Sequence, residues 1–511
     1  MAPKDTHSRS DYFPVVIIGA GLSGIAAGCQ LKTKLGLSQF RIYDRNEGVG
    51  GTWWVHRYPG VACDVPASLY SYSFAQNPSW STLKPSGEEI ATYIRATSEK
   101  FGLCPHIQLN TEVSSLIWDE QNEEWEVSIH QTPPAKEEPA GFPAPRYKRS
   151  VRAKIVISAT GKFAVPRTDS AHVQGIEHFR GDVLHTARWD ANVNLEDKDV
   201  IVIGAGCSAA QLVPALLSQY NVRSVTQLVR TAPWVSPNLL SSRQLRAWEA
   251  YMPWLNRNIP GLAQIVRMVM FLIAELTFFR IFKAGQQYGR KRYEEKLRVY
   301  MERSIPRGCH KILTPPYELG CKRLVHDAGW FQSLWDPRLH ITDLRLDRVE
   351  KRAVILRGRG EDYQVAHSHE SKVTADVIIM ATGYDTSTLL HNIDVIGSGG
   401  AALYDYWTTG GLQAYQGLAV PGFKNLFLLL GPNSSSGHTS VMIGVENSIH
   451  YILKLIKPIL ELDVSSWDIK AKSNRVWTEN VQRASQESVW VTGGCHSWYV
   501  DDKGWNSAVY P

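Results

Sequence analysis

The 511-residue chain lacks the features that would place it in several large classes of protein. It has no C-x-x-C spacing among its seven cysteines, and seven is an odd number. That argues against a zinc knuckle or a disulfide framework; reduced thiols, a cytoplasmic location and no resident metal are the expectation. It has no long basic run. Lys plus Arg (55) and Asp plus Glu (49) leave a formal charge of only +6, so nucleic acid is not an expected partner. It has no long hydrophobic run either. Its most apolar stretch, 261–282 (GLAQIVRMVMFLIAELTFFRIF), is broken by Arg267, Glu275 and Arg280. A membrane-spanning helix needs about 20 mostly apolar residues. The stretch reads as a buried or tunnel-lining helix, with shallow contact on a membrane surface as the less favoured alternative. Residues 1–11 are polar and run into a strand, so no signal peptide is expected.

What is present is ordinary for a soluble globular chain: 44% hydrophobic and 20% charged residues. At about 150 residues per domain, the length predicts two or three domains. The 17 tryptophans suit either a large apolar pocket or plain core.

One pattern occurs twice. Residues 14–30 (PVVIIGAGLSGIAAGCQ) and 199–211 (DVIVIGAGCSAAQ) each run from an apolar strand through G-A-G into a helix. In the first, Gly19, Gly21 and Gly24 let a pyrophosphate approach the backbone at a helix N-terminus. The next strand, FRIYD, ends in Asp44, 25 residues past Gly19, where a carboxylate holds a ribose diol. The second site comprises Gly204, Gly206, Ser208 and Ala209, alanine being permitted at the third glycine position. Its following strand ends instead in Arg230-Thr231. An arginine there favours a 2′-phosphate, hence NADPH over NADH. Two dinucleotide sites point to one nicotinamide and one flavin, with hydride passing between them. A disulfide reductase would need a redox cysteine pair, and Cys29, Cys63 and Cys104 are too scattered to form one.

Two near-identical segments, AKIVISATG (153–161) and ADVIIMATGY (375–384), read as the crossings between domains. The expected fold is therefore α/β: two Rossmann-like dinucleotide-binding domains, one inserted in the other. The first covers about 1–160 and 376–511. The second covers 161–375 and carries a helical excursion at about 232–320. Residues 132–146 (TPPAKEEPAGFPAPR) read as a solvated loop.

Residues 179–190, FRGDVLHTARWD, fit F-x-G-x-x-x-H-x-x-x-W-[P/D] without a break. With GGTWWVHRYP (50–59), Gly431-Pro432-Asn433 and TGGCHSWY (492–499), the chain closely resembles the class B flavin monooxygenases of Baeyer–Villiger type. The resemblance covers nearly the whole chain, and parts of it are similar to fungal members of secondary metabolism. It implies FAD and NADPH as cofactors, O2 and a small hydrophobic carbonyl compound as partners, and insertion of one oxygen to give an ester or lactone. It implies that Gly51, Thr52 and Trp53 wrap the flavin, that Asp64 and Tyr70 lie beside it, and that Val113 meets the adenine. It makes Arg323 the active-site arginine, with Asp64 its support, and Lys322 a companion near the NADP phosphate. His185 and Trp189 become linker residues that act through conformation. Chemistry supports the arginine separately: a guanidinium that cannot deprotonate stabilises an anionic oxygen nucleophile and the anionic adduct it forms with a ketone. His438, in GPNSSSGHTS, reads as part of a loop over the flavin rather than as a base. The rival functions are oxygenation of sulfur or nitrogen on the same fold and, from another class, a non-catalytic regulatory flavoprotein.

Overall fold

The computed structural model describes residues 11–131, 147–167, 173–283, 285–358, 370–387, 389–390 and 392–511. Two sheets organise it, each fed by one of the two glycine turns. The first contains β1 (Tyr12–Ile18), β2 (Phe40–Tyr43), β3 (Ile107–Gln108), β4 (Thr111–Asp119), β5 (Glu124–Gln131) and β6 (Tyr147–Ser158). Two late strands, β17 (Asp394–Ile396) and β18 (Leu426–Leu428), complete it. Its order is β17-β4-β5-β6-β1-β2-β3, with β18 also on β6. The start of β6 runs antiparallel to β5 and its end parallel to β18.

The parallel centre explains the apolar run in β1, since both of its faces are covered. Val15 and Ile17 point into one core, against helix α1 (Leu22–Leu35) and the Val441–Leu460 helix. Val16 and Ile18 point into the other, with Trp118, Trp125 and Phe423. Two further helices flank the first turn's neighbourhood, α2 (Thr52–Val55) and α3 (Gly87–Lys100).

The second sheet is parallel throughout. It contains β7 (Asp182–His185), β8 (Asp199–Ile203), β9 (Ser224–Leu228), β12 (Leu339–Thr342) and β16 (Val377–Met380), in the order β12-β9-β8-β16-β7. Helix α4 (Cys207–Gln219) follows the second glycine turn. A short ladder, β10 (Val235–Ser236) on β11 (Val325–His326), lies apart from it. So does an antiparallel sheet of β13 (Arg345–Glu350), β14 (Ala353–Arg357) and β15 (Glu370–Thr374).

The structure differs from expectation in three places. The strand expected to reopen the first unit at 376 pairs with β8 and β7 in the second sheet, so the return crossing follows Met380. The excursion is helical, as α5 (Ser242–Asn258), α6 (Leu262–Thr277), a π-helical turn at Phe278–Phe282 and α7 (Gln287–Ser304). Yet neither α5 nor α6 has a fully buried residue, which corrects the buried alternative for 261–282 and leaves the tunnel-lining one. Cys321 and Cys495 form a disulfide, S–S 2.04 Å, so the thiols are not all reduced. The 174 residues between these two cysteines left no local spacing to read. The loop expected at 132–146 lies outside the described residues.

Candidate active site

The first glycine turn is packed tightly against backbone at two of its glycines. A Cβ on Gly24 would sit 1.8 Å from the Gly19 carbonyl oxygen, and one on Gly19 would sit 2.5 Å from that of Ala159. Only side-chain-free positions let strand, turn and α1 approach this closely, leaving the cradle at the helix N-terminus that a pyrophosphate requires. Asp44 is buried behind it. Its carboxylate accepts from Ala20 N–H (2.6 Å), Asn46 N–H (2.8 Å) and Asn46 Nδ2 (2.8 Å). Burial pushes its pKa up, and these donors oppose the shift. Thr111 N–H donates to the Asp44 carbonyl at 2.9 Å, which brings the start of β4, and with it buried Val113, to the same end.

The segment of Gly51, Thr52 and Trp53 docks on this turn through Gly50 N–H to the Ala20 carbonyl (3.1 Å). Trp53 Nε1 donates to the Tyr70 hydroxyl at 3.0 Å, and the two rings meet edge-on with centroids 5.5 Å apart. Burial pushes the Tyr70 phenol far up, so it stays protonated.

The second turn repeats the first. A Cβ on Gly204 would lie 2.5 Å from the Ala381 carbonyl oxygen. Each A-T-G segment thus seats its own glycine turn, Ala159 against Gly19 and Ala381 against Gly204. Gly206 caps α4, and Ala209 is fully buried on it. Ser208 lies beside the Tyr58 phenol. Arg230 is exposed at the end of β9 and Thr231 is half-buried. Lys322 has its pKa lowered by burial and then by the nearby Arg230 guanidinium. Lys322 also lies over the Tyr317 ring, with Nζ 5.2 Å from the centroid.

Several ion pairs join the two units, and Arg323–Asp64 is the one beside the second glycine turn's neighbour Cys207. Arg323, just before β11, donates from Nε (3.1 Å) and Nη2 (2.7 Å) to Asp64 Oδ2, 259 residues away in the first unit. The side chains are 34% and 25% exposed. Burial alone would raise the Asp64 pKa, but Arg323 and then His326 overcome it and hold the carboxyl below its ordinary value. Asp64 in turn raises Arg323 further above its already high value. The result is a fixed, permanently charged guanidinium.

At the junction on the other side, Ala187 N–H donates to His185 Nδ1 (3.0 Å), leaving Nε2 to face the Thr382 hydroxyl at 3.3 Å. Burial, Arg188 and His56 lower the His185 pKa, so the ring is neutral at neutral pH. Trp189 packs half-buried on the core of the second unit. His438 turns away from the turns: Nε2 lies 3.0 Å from Glu275 Oε1, and its ring stacks on Phe278 at 4.1 Å.

Residues 14–243 match the family described as flavin-binding monooxygenase-like. A Baeyer–Villiger monooxygenase of Streptomyces coelicolor is 31% identical over 98% of this chain and 89% of its own length. The chain belongs to the Baeyer–Villiger monooxygenases. A second such enzyme, from Pseudomonas aeruginosa, is 30% identical over 100% of this chain and 90% of its own. The FAD-binding monooxygenase ktnD of Aspergillus niger is 29% identical, over 97% and 78%. A steroid monooxygenase bound to NADP shares the fold at TM-score 0.77 and 22% identity, over 98% of this chain and 95% of its own.

Several groups in this Baeyer–Villiger monooxygenase carried no sequence signal. Tyr499 is buried beside Arg323, and burial raises its pKa. His326 hydrogen-bonds the Ser236 hydroxyl (2.7 Å), and burial together with Lys84 pushes its pKa down to about 4. Tyr58 donates to Gln211 Oε1 (2.8 Å), whose Nε2 donates to the Ala62 carbonyl (2.9 Å), clamping α4 to the first unit. The Cys321–Cys495 disulfide ties the Arg323 loop to the segment bearing Tyr499. Each pairing joins residues far apart in sequence.

Proposed function

We propose that this enzyme inserts one atom of dioxygen beside the carbonyl of a bulky hydrophobic ketone, with FAD on the first glycine turn and NADPH on the second. The overall reaction is ketone, O2, NADPH and a proton giving ester or lactone, water and NADP⁺. When bound, the two cofactors supply the hydride and the activation of oxygen. The chain's own residues do the rest. Gly19, Gly21, Gly24 and Asp44 hold the pyrophosphate and ribose of one dinucleotide; Gly204, Gly206, Ser208, Ala209, Arg230, Thr231 and Lys322 hold the other. Gly51, Thr52, Trp53, Tyr70 and Val113 line the flavin. His185 and Trp189 couple occupancy of the second unit to its position on the first.

The observation that carries the proposal is the Arg323–Asp64 pair at the meeting of the two units. Asp64 occupies two guanidinium N–H groups and fixes the plane, leaving the remaining donors for an anionic oxygen. Because Arg323 does not release a proton, it stabilises that anion without quenching it. The large, apolar substrate is supported by the tryptophan count and by a cavity where Ala263 and Val266, on the inward face of α6, meet Ser68, Ser71 and Trp248. A role in secondary metabolism belongs to the same proposal and rests on the likeness to fungal sequences. The cytoplasmic location expected from reduced thiols loses that premise with the Cys321–Cys495 bond. No described helix is long and apolar enough to cross a membrane.

Arg323→Ala tests the assignment. FAD stays bound, because its contacts lie at the first turn. Loss of one such electrostatic contact costs about 10²–10³ in rate, or roughly 2.7–4 kcal/mol. NADPH is still consumed and hydrogen peroxide released, while ester falls below detection. Near wild-type ester per NADPH would remove Arg323 from the mechanism. Offering a sulfide beside the ketone separates this reading from heteroatom oxygenation.

A further inference from the structure

The outer face of α6 is apolar and uncovered. Ile265, Met268, Val269, Leu272, Ile273 and Leu276 follow helical spacing, and each is between 46% and 60% exposed. Phe279 continues the stripe at 49% on the following turn. On the neighbouring α5, Tyr251 (67%) and Trp254 (62%) are exposed as well, and Ile259 lies between the helices. A single exposed leucine is unremarkable; a continuous stripe of this kind marks an interaction site.

The stripe cannot turn inward, because the opposite face of α6 is pinned. Arg267 Nη1 donates to the Ser68 carbonyl (3.0 Å) and the Ser71 carbonyl (2.6 Å), and its Nη2 lies 3.9 Å from Glu446. Charge is sorted in the same way. The acids of the hairpin face in: Glu249 accepts from the Thr82 hydroxyl (2.6 Å), and Glu275 pairs with His438. The cations Arg243, Arg246, Arg257, Arg280 and Lys283 are exposed around the apolar face.

We propose that this face of α5 and α6 lies on the surface of an anionic lipid bilayer. An apolar stripe with aromatic residues at its edge and a cationic rim is what binds the headgroup–acyl boundary in-plane. The rim matches anionic headgroups, whose attraction adds to the apolar burial. A second copy of the chain fits less well, since a two-fold pairing of this face would bring like-charged rims together. The helix lies on the surface rather than through it, as no described helix is long and apolar enough to cross. The inference stands on these side chains alone and does not depend on the reaction.

Sedimentation of the purified, FAD-loaded full chain with vesicles tests it. Phosphatidylcholine vesicles containing phosphatidylserine are expected to carry the protein down. Binding should weaken by about tenfold or more in high salt, and likewise on phosphatidylcholine alone. Leu272→Asp, and separately Arg243→Glu with Lys283→Glu, should each weaken binding by a similar factor while flavin content and NADPH oxidation stay unchanged. Should Leu272→Asp fail to fold, the charge-reversed variant decides. No sedimentation with the anionic vesicles would overturn the proposal, as would equal binding to neutral ones. A concentration-dependent dimer that Leu272→Asp dissolves, without vesicle binding, would assign the face to a second copy.

Discussion

Asp64 and His326 share a boundary with Arg323 yet respond to acid in different ways. Burial, then Lys84, hold the folded His326 pKa at about 4, below its ordinary 6.5. Above pH 6.5 neither folded nor unfolded imidazole is charged, so the group is neutral for stability. Between pH 6.5 and about 4 the unfolded chain takes up a proton that the folded chain refuses, and stability falls by up to about 1.4 kcal/mol per pH unit. Thermal unfolding should therefore show a steeper loss of Tm from pH 7 to 5 in the wild type than in His326→Asn. Parallel curves would show that the ring titrates normally. Arg230 gives a second expectation. Arg230→Ala should raise KM for NADPH and hardly change that for NADH, costing about 1.5–3 kcal/mol for a lost hydrogen bond to a charged group. Equal losses with both coenzymes would show that Arg230 does not read the 2′-phosphate. Asp44, Arg230 and the two sets of glycines could be singled out because local spacing marks strand ends and turns, and the structure puts them at those positions. Arg323 was singled out chiefly through family resemblance, and its pairing with Asp64 is what the structure adds. Tyr499, Lys84 and His326 were not singled out, because ordinary residue types become special only when folding brings them to Asp64.

At the scale of elements, the duplicated strand–turn–helix pattern and both A-T-G segments were readable from their apolar strands and the glycines their turns demand. The crossing read at 375–384 falls just after Met380, a few residues beyond the boundary expected at 376. A buried apolar strand is compatible with either parallel sheet, and nothing local says which one it joins. The 261–282 helix misled for a related reason: composition reports that a face is apolar, not what covers it. The disulfide was invisible because neither cysteine has a neighbour at a telling distance. It links the Arg323 loop to the C-terminal segment across 174 residues. Replacing both Cys321 and Cys495 by Ser should lower stability by about 2–4 kcal/mol, read from denaturant unfolding. It should also lower ester yield per NADPH by freeing Tyr499 from its place beside Arg323. A double variant with unchanged midpoint and unchanged yield would show that the bond fixes neither.

For the whole molecule, the proposed chemistry rests on the Arg323–Asp64 pair, one of several contacts that join the two units. The Arg323–Asp64 contact and the Tyr58–Gln211–Ala62 bridge both cross between the units. Neither unit alone contains the site. The guanidinium comes from the second unit, while its carboxylate partner and the residues proposed to line the flavin come from the first. This explains why two glycine turns were sufficient to limit the chemistry to hydride transfer between two cofactors, and insufficient to say what receives the oxygen. The central claim is that oxygen from O2 enters beside a carbonyl. Mass spectrometry of products formed under ¹⁸O2, with NADPH and ketones of increasing size, tests it most directly. The account predicts an ester or lactone carrying one labelled oxygen, formed in step with NADPH oxidation and best with the larger ketones. NADPH oxidation that yields only peroxide across the whole series, or a product oxygen drawn from water, would contradict it.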